Sequence, residues 1–181
     1  KPFTLVGATT MYGSLSGPLR SRFGIINKLE YYSDTDLSSV LTRSANILKI
    51  QLDRDAVLAL AKRSRGTPRI ANRLLRRSRD TAQIHHHNHL TLQAVNDTLA
   101  LLQIDELGLD ASDRELLTRI ITYHHGGPVG VETLSSALSE DAGTIEEVYE
   151  PFLIQQGLLA RTKAGRVVTD LAYKHLGLAK K

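Results

Sequence analysis

No cysteine and no tryptophan occur among the 181 residues. Without cysteine there is no disulfide framework and no thiolate metal site. No apolar run approaches the ~20 residues of a membrane helix, and no signal-peptide pattern opens the chain. A soluble cytoplasmic protein with no membrane partner is the expectation. Two further features are missing: a Gly-x-x-x-x-Gly-Lys-Ser/Thr loop to cradle phosphates, and an acidic strand to hold magnesium. What is present suffices for real cores. Apolar residues make up 41% of the chain, and the length suits one large or two small domains.

The net charge of +4 conceals an asymmetry. Residues 1–103 hold fifteen basic and seven acidic residues, residues 104–150 two basic and eleven acidic, and residues 151–181 six basic and one acidic. The three balances are +8, −9 and +5. Two separated basic regions point to two anionic partners rather than to one coat of nucleic acid.

The most basic stretch has eight Lys or Arg and no acid from Lys62 to Arg79. Within it, Gly66-Thr67-Pro68-Arg69 is a helix start: Thr67 can cap free amides and Pro68 fits the first helical position. Arg69 then stands in the first turn, at an end that favours anions, where a guanidinium suits a phosphate. The alternative is a solvated basic helix.

Along the chain, residues 1–10 read as one buried strand ending in a polar turn, residues 11–24 as loop, and Ile25 to Tyr31 as a short extended segment. An apolar strand without partner strands, opening on Lys1, suggests a fragment cut from a larger α/β domain. Helical spacing follows over Asp36 to Leu48, Asp53 to Arg63, Pro68 to Ile84 and Thr91 to Leu102, a small bundle. The acidic stretch from Asp105 to Asp113 reads as a linker. A helix from Ser112 to His124 stops at Gly126-Gly127-Pro128. Val131 to Leu138 is a short helix, and Thr144-Ile145-Glu146-Glu147 fits a capping box for the next, which Pro151 should kink. Leu158 to Thr162 and Arg166 to Thr169 alternate like strands about Lys163-Ala164-Gly165. Three helices followed by a hairpin is the order of a winged helix-turn-helix domain.

In that order the third helix opens with Glu146, Glu147 and Glu150, carboxylates that would repel phosphates. The hairpin, with Arg161, Lys163 and Arg166, is better suited to touch a nucleic-acid backbone without reading sequence; the alternative is a solvated turn. The run His85, His86, His87 and His89 is read as an interhelical loop rather than a metal site. His124 and His125 suit a helix C-terminus.

Three clusters stand at telling distances: Gly7-Ala8-Thr9-Thr10, Pro18-Leu19-Arg20-Ser21-Arg22-Phe23-Gly24, and Gly66-Thr67-Pro68-Arg69 through Arg77. With Gly126-Gly127-Pro128-Val129-Gly130 and Glu150-Pro151-Phe152-Leu153-Ile154-Gln155-Gln156-Gly157, they make the chain resemble the RuvB family, AAA+ motors that drive branch migration of Holliday junctions. The resemblance spans essentially the whole chain. It implies a mainly α fold: a remnant of the large AAA+ α/β domain (1–32), a small helical lid (33–103) and a winged-helix domain with a β-hairpin wing (106–181).

By that resemblance Thr10 matches sensor 1 and Arg22 the arginine finger that reaches a neighbouring subunit's nucleotide. Tyr32 falls in the nucleotide pocket, and Arg69 matches sensor 2. Thr10 as a loop cap, Arg20 in place of Arg22, and Tyr32 as a packing residue are the alternatives. The family's DNA-contacting arginines match Arg161 and Arg166. Some relatives carry a further basic residue before the third helix, where this chain has Ala142. The full protein would use ATP and Mg²⁺ and act as a homohexamer on Holliday-junction DNA in recombination and repair. Its partners would be RuvA and RuvC, with the RuvA contact outside this stretch. Lacking the phosphate loop, the chain is not expected to hydrolyse ATP unaided. The competing reading is a non-enzymatic winged-helix DNA-binding regulator with a helical dimerisation domain.

Overall fold

A computed structural model describes residues 1–85 and 89–180. The fold is mainly helical, with residues 1–30 forming one compact unit and residues 31–181 another. In the first unit only a 3₁₀ turn (Tyr12–Ser14) and the short helix α1 (Gly17–Arg20) are regular. The strand expected over residues 1–10 does not form, nor does the extended segment from Ile25 pair with another. Phe3, Leu5, Val6, Ile25 and Leu29 stand exposed. A strand needs a neighbour to take its hydrogen bonds, and among the described residues the only ladders lie elsewhere.

The second unit begins with a bundle of α2 (Asp34–Ile47), α3 (Arg54–Lys62), α4 (Pro68–His85) and α5 (Leu92–Leu101). Ser33 caps α2 by accepting from Asp36 N at 3.1 Å, and the Asp36 carboxylate reaches back to Ser33. Leu37, Leu41 and Ala45 recur at helical spacing and share one core with Leu60, Leu74, Leu75, Val95 and Leu99. Two short strands close the bundle: β1 (Gln51–Leu52) pairs in parallel with β2 (His89–Leu90). His89 also meets Asp53, Nε2 to Oδ1 at 2.8 Å. Of the histidine run, His86 and His87 lie outside the described residues.

A separate core gathers Leu116, Leu117, Ile120, Leu134, Ile145, Leu153, Leu159 and Val168. It is built by α6 (Ala111–His124), α7 (Val131–Leu138), a third helical segment, and a hairpin of β3 (Leu159–Thr162) and β4 (Gly165–Val168). The last helix, α10 (Asp170–Leu176), packs on α6. His124 is the last residue of α6, and His125 turns left-handed at φ 52°.

The third segment differs from expectation. Its cap is Asp141, whose carboxylate accepts from Thr144 N at 3.2 Å, and Thr144 caps nothing. It runs as α8 (Ala142–Thr144), a π-helical turn (Ile145–Tyr149) and α9 (Glu150–Gln155). Pro151 has no N–H and its ring crowds the carbonyl one turn back. The widened π turn just before it lets the chain stay helical.

The stretch around Asp105, read as a linker, is pinned. Asp105 Oδ1 accepts from Leu107 N at 3.0 Å and Leu109 N at 2.9 Å, while Oδ2 meets His175 Nε2 at 2.8 Å. Arg114 donates to Leu109 O and Gln103 O, both at 2.8 Å.

Candidate nucleotide and nucleic-acid sites

The head of α4 is shaped by a left-handed turn. Arg65 and Gly66 lie at φ 51° and 67°. A Cβ at position 66 would stand 2.8 Å from Tyr31 Cβ, so the close approach as well as the backbone angle calls for glycine. Gly66 O accepts from Tyr32 N at 2.9 Å. That bond ties Tyr32 to the Gly66-Thr67-Pro68-Arg69 turn. The half-exposed tyrosine and the arginine thus belong to the same end of the bundle. Thr67 Oγ1 accepts from Ile70 N at 3.4 Å, a loose cap, and Asn72 Nδ2 donates to Pro68 O at 2.9 Å.

Arg69 is exposed, and its guanidinium bonds to no described residue. Arg73 and Arg76 follow at i+4 and i+7, also exposed. With Arg77, Arg79 and Asp80 they border a cleft of about 550 Å³. Asp80 is already engaged by Arg79 at 2.8 Å and Arg77 at 3.9 Å. The open positive charge therefore sits toward the helix N-terminus, an end whose dipole favours an anion.

In the first unit, Thr10 is exposed in a bend, and its neighbour Thr9 supplies the turn bond, accepting from Met11 N at 2.9 Å. Arg20 stacks on Tyr12 at 5.4 Å, whereas Arg22 is exposed with no partner among the described residues. Of the two arginines in this loop, Arg22 is the one free to reach outward.

The wing brings two arginines face to face, since Arg161 and Arg166 are direct register partners. Like charges at such a pair repel unless an anion intervenes. Two do. Arg166 Nε donates to Glu150 Oε1 at 2.6 Å and its Nη2 to Glu146 Oε1 at 2.7 Å. Arg161 Nη2 donates to the same Glu146 oxygen at 2.5 Å, and its Nη1 approaches Glu150 Oε2 at 3.7 Å. Arg166 and Glu150 are buried, 6% and 1% exposed. The bond from Arg166, reinforced by both positive charges, holds the Glu146 carboxyl below its usual range despite some desolvation.

Both halves of the expectation for this region change. Arg166 is not an outward-facing cation, because its guanidinium is buried and shared between two carboxylates. Glu146 and Glu150 are not bare repellents, because the wing neutralises them. Arg161, though paired with Glu146, stays half-exposed, and Lys163 is exposed at the turn with no partner among the described residues. The hairpin register held the missed signal: a two-residue turn sets Arg161 opposite Arg166, and that pairing demands a carboxylate nearby. No cluster of three or more His, Asp or Glu suited to a metal ion occurs among the described residues, and no described helix is long and apolar enough to cross a membrane.

Three family models match in sequence order: the Holliday junction DNA helicase RuvB P-loop domain over residues 1–29, the RuvB AAA lid domain over 32–105, and the RuvB C-terminal winged helix domain over 106–177. The Holliday junction branch migration complex subunit RuvB of Corynebacterium glutamicum is 54% identical over 177 residues, which is 98% of this chain and 49% of that protein. The chain thus spans about half the length of the curated relative it matches. The solved structure of the Thermotoga maritima RuvB Holliday junction branch migration motor superposes with a TM-score of 0.91 at 48% identity, over 99% of this chain and 60% of that one. A variant of the same Thermotoga protein gives 0.86 at 46% identity, over 92% and 56%. The chain belongs to the RuvB family, of which it carries the C-terminal portion.

Proposed function

We propose that the protein is a subunit of an ATP-driven DNA translocase that moves Holliday junctions in homologous recombination and repair. The observation that carries this reading is a pairing within one unit. An arginine with no partner among the described residues heads the lid helix, and the same unit ends in a wing whose exposed Lys163 and half-exposed Arg161 suit a phosphate backbone. A machine that converts nucleotide state into movement of DNA needs both.

The assembly is a cytoplasmic homohexamer whose neighbours share each nucleotide, working with RuvA and RuvC. Bound ATP with Mg²⁺ supplies the free energy of phosphoryl transfer. Arg69 and Tyr32 fit the nucleotide, since the guanidinium is free and the tyrosine is tied by its backbone to the same turn. Arg69 holds a phosphate beside the helix N-terminus, so the lid sits differently when that phosphate leaves. Arg22 reaches the adjoining subunit's nucleotide, where its planar fork stabilises charge on the transferring group; such fingers are worth about 10³–10⁵ in rate. Thr10 orients the attacking water as the sensor 1 hydroxyl.

At the DNA end, Arg161 and Lys163 contact the backbone, and Arg166 holds the wing in place from beneath. Contacts of this kind suit a motor that passes over many sequences.

The test uses a full-length RuvB carrying this C-terminal sequence. Arg22→Ala should abolish ATP hydrolysis while leaving nucleotide binding near normal. Mixing it with a subunit defective in the phosphate loop should restore part of the activity, because each supplies what the other lacks. Absence of rescue at every mixing ratio would overturn the role of Arg22. An unsubstituted protein that binds DNA yet hydrolyses no ATP would favour a regulator instead.

A further inference from the structure

We infer that Arg65 is the positioning residue that locks the lid to the winged helix, so that movement at Arg69 is delivered to the wing. The consequence for movement rests on the motor reading above; the rigidity of the joint does not.

Arg65 stands four residues before Arg69, in the left-handed turn that leads into α4. A bulky residue there is uncommon and costly, and what its side chain does offsets that cost. Its Nε donates to Gly108 O at 3.0 Å, in the segment between the two cores. Its Nη2 donates to Asp110 Oδ2 at 3.1 Å and to Asp113 Oδ2 at 2.5 Å. The guanidinium also lies 4.4 Å from the centre of the Phe152 ring. One planar group therefore grips the connecting segment, the first turn of α6 and the face of α9.

Each partner is itself fixed. Asp110 and Asp113 form the reciprocal capping box of α6, with Asp113 N to Asp110 Oδ1 at 3.1 Å and Asp110 N to Asp113 Oδ2 at 3.0 Å. Asp113 is fully buried. Gly108 lies flush against Arg63, where an added Cβ would be 3.3 Å from the Arg63 Cα and carbonyl oxygen. Phe152 is two residues from Glu150, which holds Arg166 of the wing. A contiguous line of packed and ion-paired groups thus runs from the turn beside Arg69 to the hairpin. Lysine could not replace Arg65, because a point charge neither forks between two carboxylates and a carbonyl nor stacks flat on a ring.

The absence of cysteine makes the joint measurable. Spin labels at Arg43→Cys on α2 and Ser136→Cys on α7, both exposed, report the lid to winged-helix distance by pulsed electron resonance. The unsubstituted pair should give one narrow distribution. Arg65→Ala should broaden it about twofold or more, and Arg65→Lys, which keeps the charge and the fold, should broaden it too. An unchanged distribution in folded Arg65→Ala or Arg65→Lys protein overturns the lock. A second arm measures ATP turnover and junction movement in the full-length protein. With Arg65→Lys, turnover and DNA affinity should stay within about twofold while base pairs moved per ATP fall about fivefold. Equal loss of turnover and movement would overturn the coupling role. If even the unsubstituted protein moves no junction, the motor reading fails, and the distance measurement still decides the joint.

Discussion

Arg161 and Arg166 are the same residue type, five positions apart across a two-residue turn, yet they sit in opposite electrostatic worlds. Arg166 and Glu150 are both buried. Removing the guanidinium strands a carboxylate in the interior, a loss of about 3–5 kcal/mol in comparable pairs. Arg161 is 54% exposed, and exposed ion pairs contribute about 0–1 kcal/mol. Arg166→Ala should therefore lower the melting temperature of the winged helix sharply, while Arg161→Ala leaves it nearly unchanged. DNA binding should separate them in the reverse sense. Arg161→Ala together with Lys163→Ala should weaken binding alike on all sequences and flatten its salt dependence by about one phosphate contact per residue. Thermal denaturation and salt-titrated DNA binding check both halves, and a salt slope equal to that of the unsubstituted protein would exclude the wing as the contact.

At the scale of elements, the hairpin owes its position to one glycine. Gly165 lies at φ 136°, and a Cβ there would come within 2.4 Å of Val129 O. Val129 bonds to Arg166 in both directions, at 3.0 and 2.8 Å, a one-residue antiparallel bridge on the outer edge of β4. Gly165→Ala should cost about 1–3 kcal/mol from backbone conformation alone, with more from displaced Val129. Amide exchange at Val129 and Arg166 should accelerate before the rest of the domain, and uniform exchange would show the wing anchored elsewhere. The helices were legible in sequence because apolar residues recur at helical spacing, though the spacing marks the buried face only in part: of the apolar residues over Asp36 to Leu48, Leu37 and Leu41 are buried, while Ile47 is 70% exposed at the helix end. The apolar run over residues 1–10 is strand-like in its side chains, but among the described residues no strand lies alongside to take its hydrogen bonds. The cap at Asp141 was missed because Thr144, three residues on, is equally good capping chemistry. At the site, the Gly66-Thr67-Pro68-Arg69 turn was legible from local rules. Arg65 was not, since its partners lie more than forty residues away.

Across the whole molecule, the lid and winged helix have separate apolar cores, and a buried carboxylate stands where they meet. Burial raises the Asp113 carboxyl from 3.8 to about 6; the Arg65 charge opposes this, and neighbouring Asp110 adds to it. Its Oδ1 has no hydrogen-bond partner among the described residues, so the desolvation is only partly compensated. The sign follows from proton counting. Between about pH 4 and pH 6 the folded protein holds a proton at Asp113 that the unfolded chain has released, so this group's contribution to stability falls as pH rises. The fall reaches at most about 1.4 kcal/mol per pH unit. It ends above pH 6, where both states are ionised and Arg65 meets a full negative charge. Asp113→Asn removes the titration while keeping the shape. Glu146, whose pKa is lowered, works in the opposite direction and is common to both proteins. The difference in unfolding free energy, unsubstituted minus Asp113→Asn, should therefore decline from pH 4 to pH 6 and then level off. Urea unfolding at half-unit pH steps measures it. A level difference throughout would mean that Arg65 fully compensates the burial of Asp113, and that the joint is electrostatically neutral at every pH.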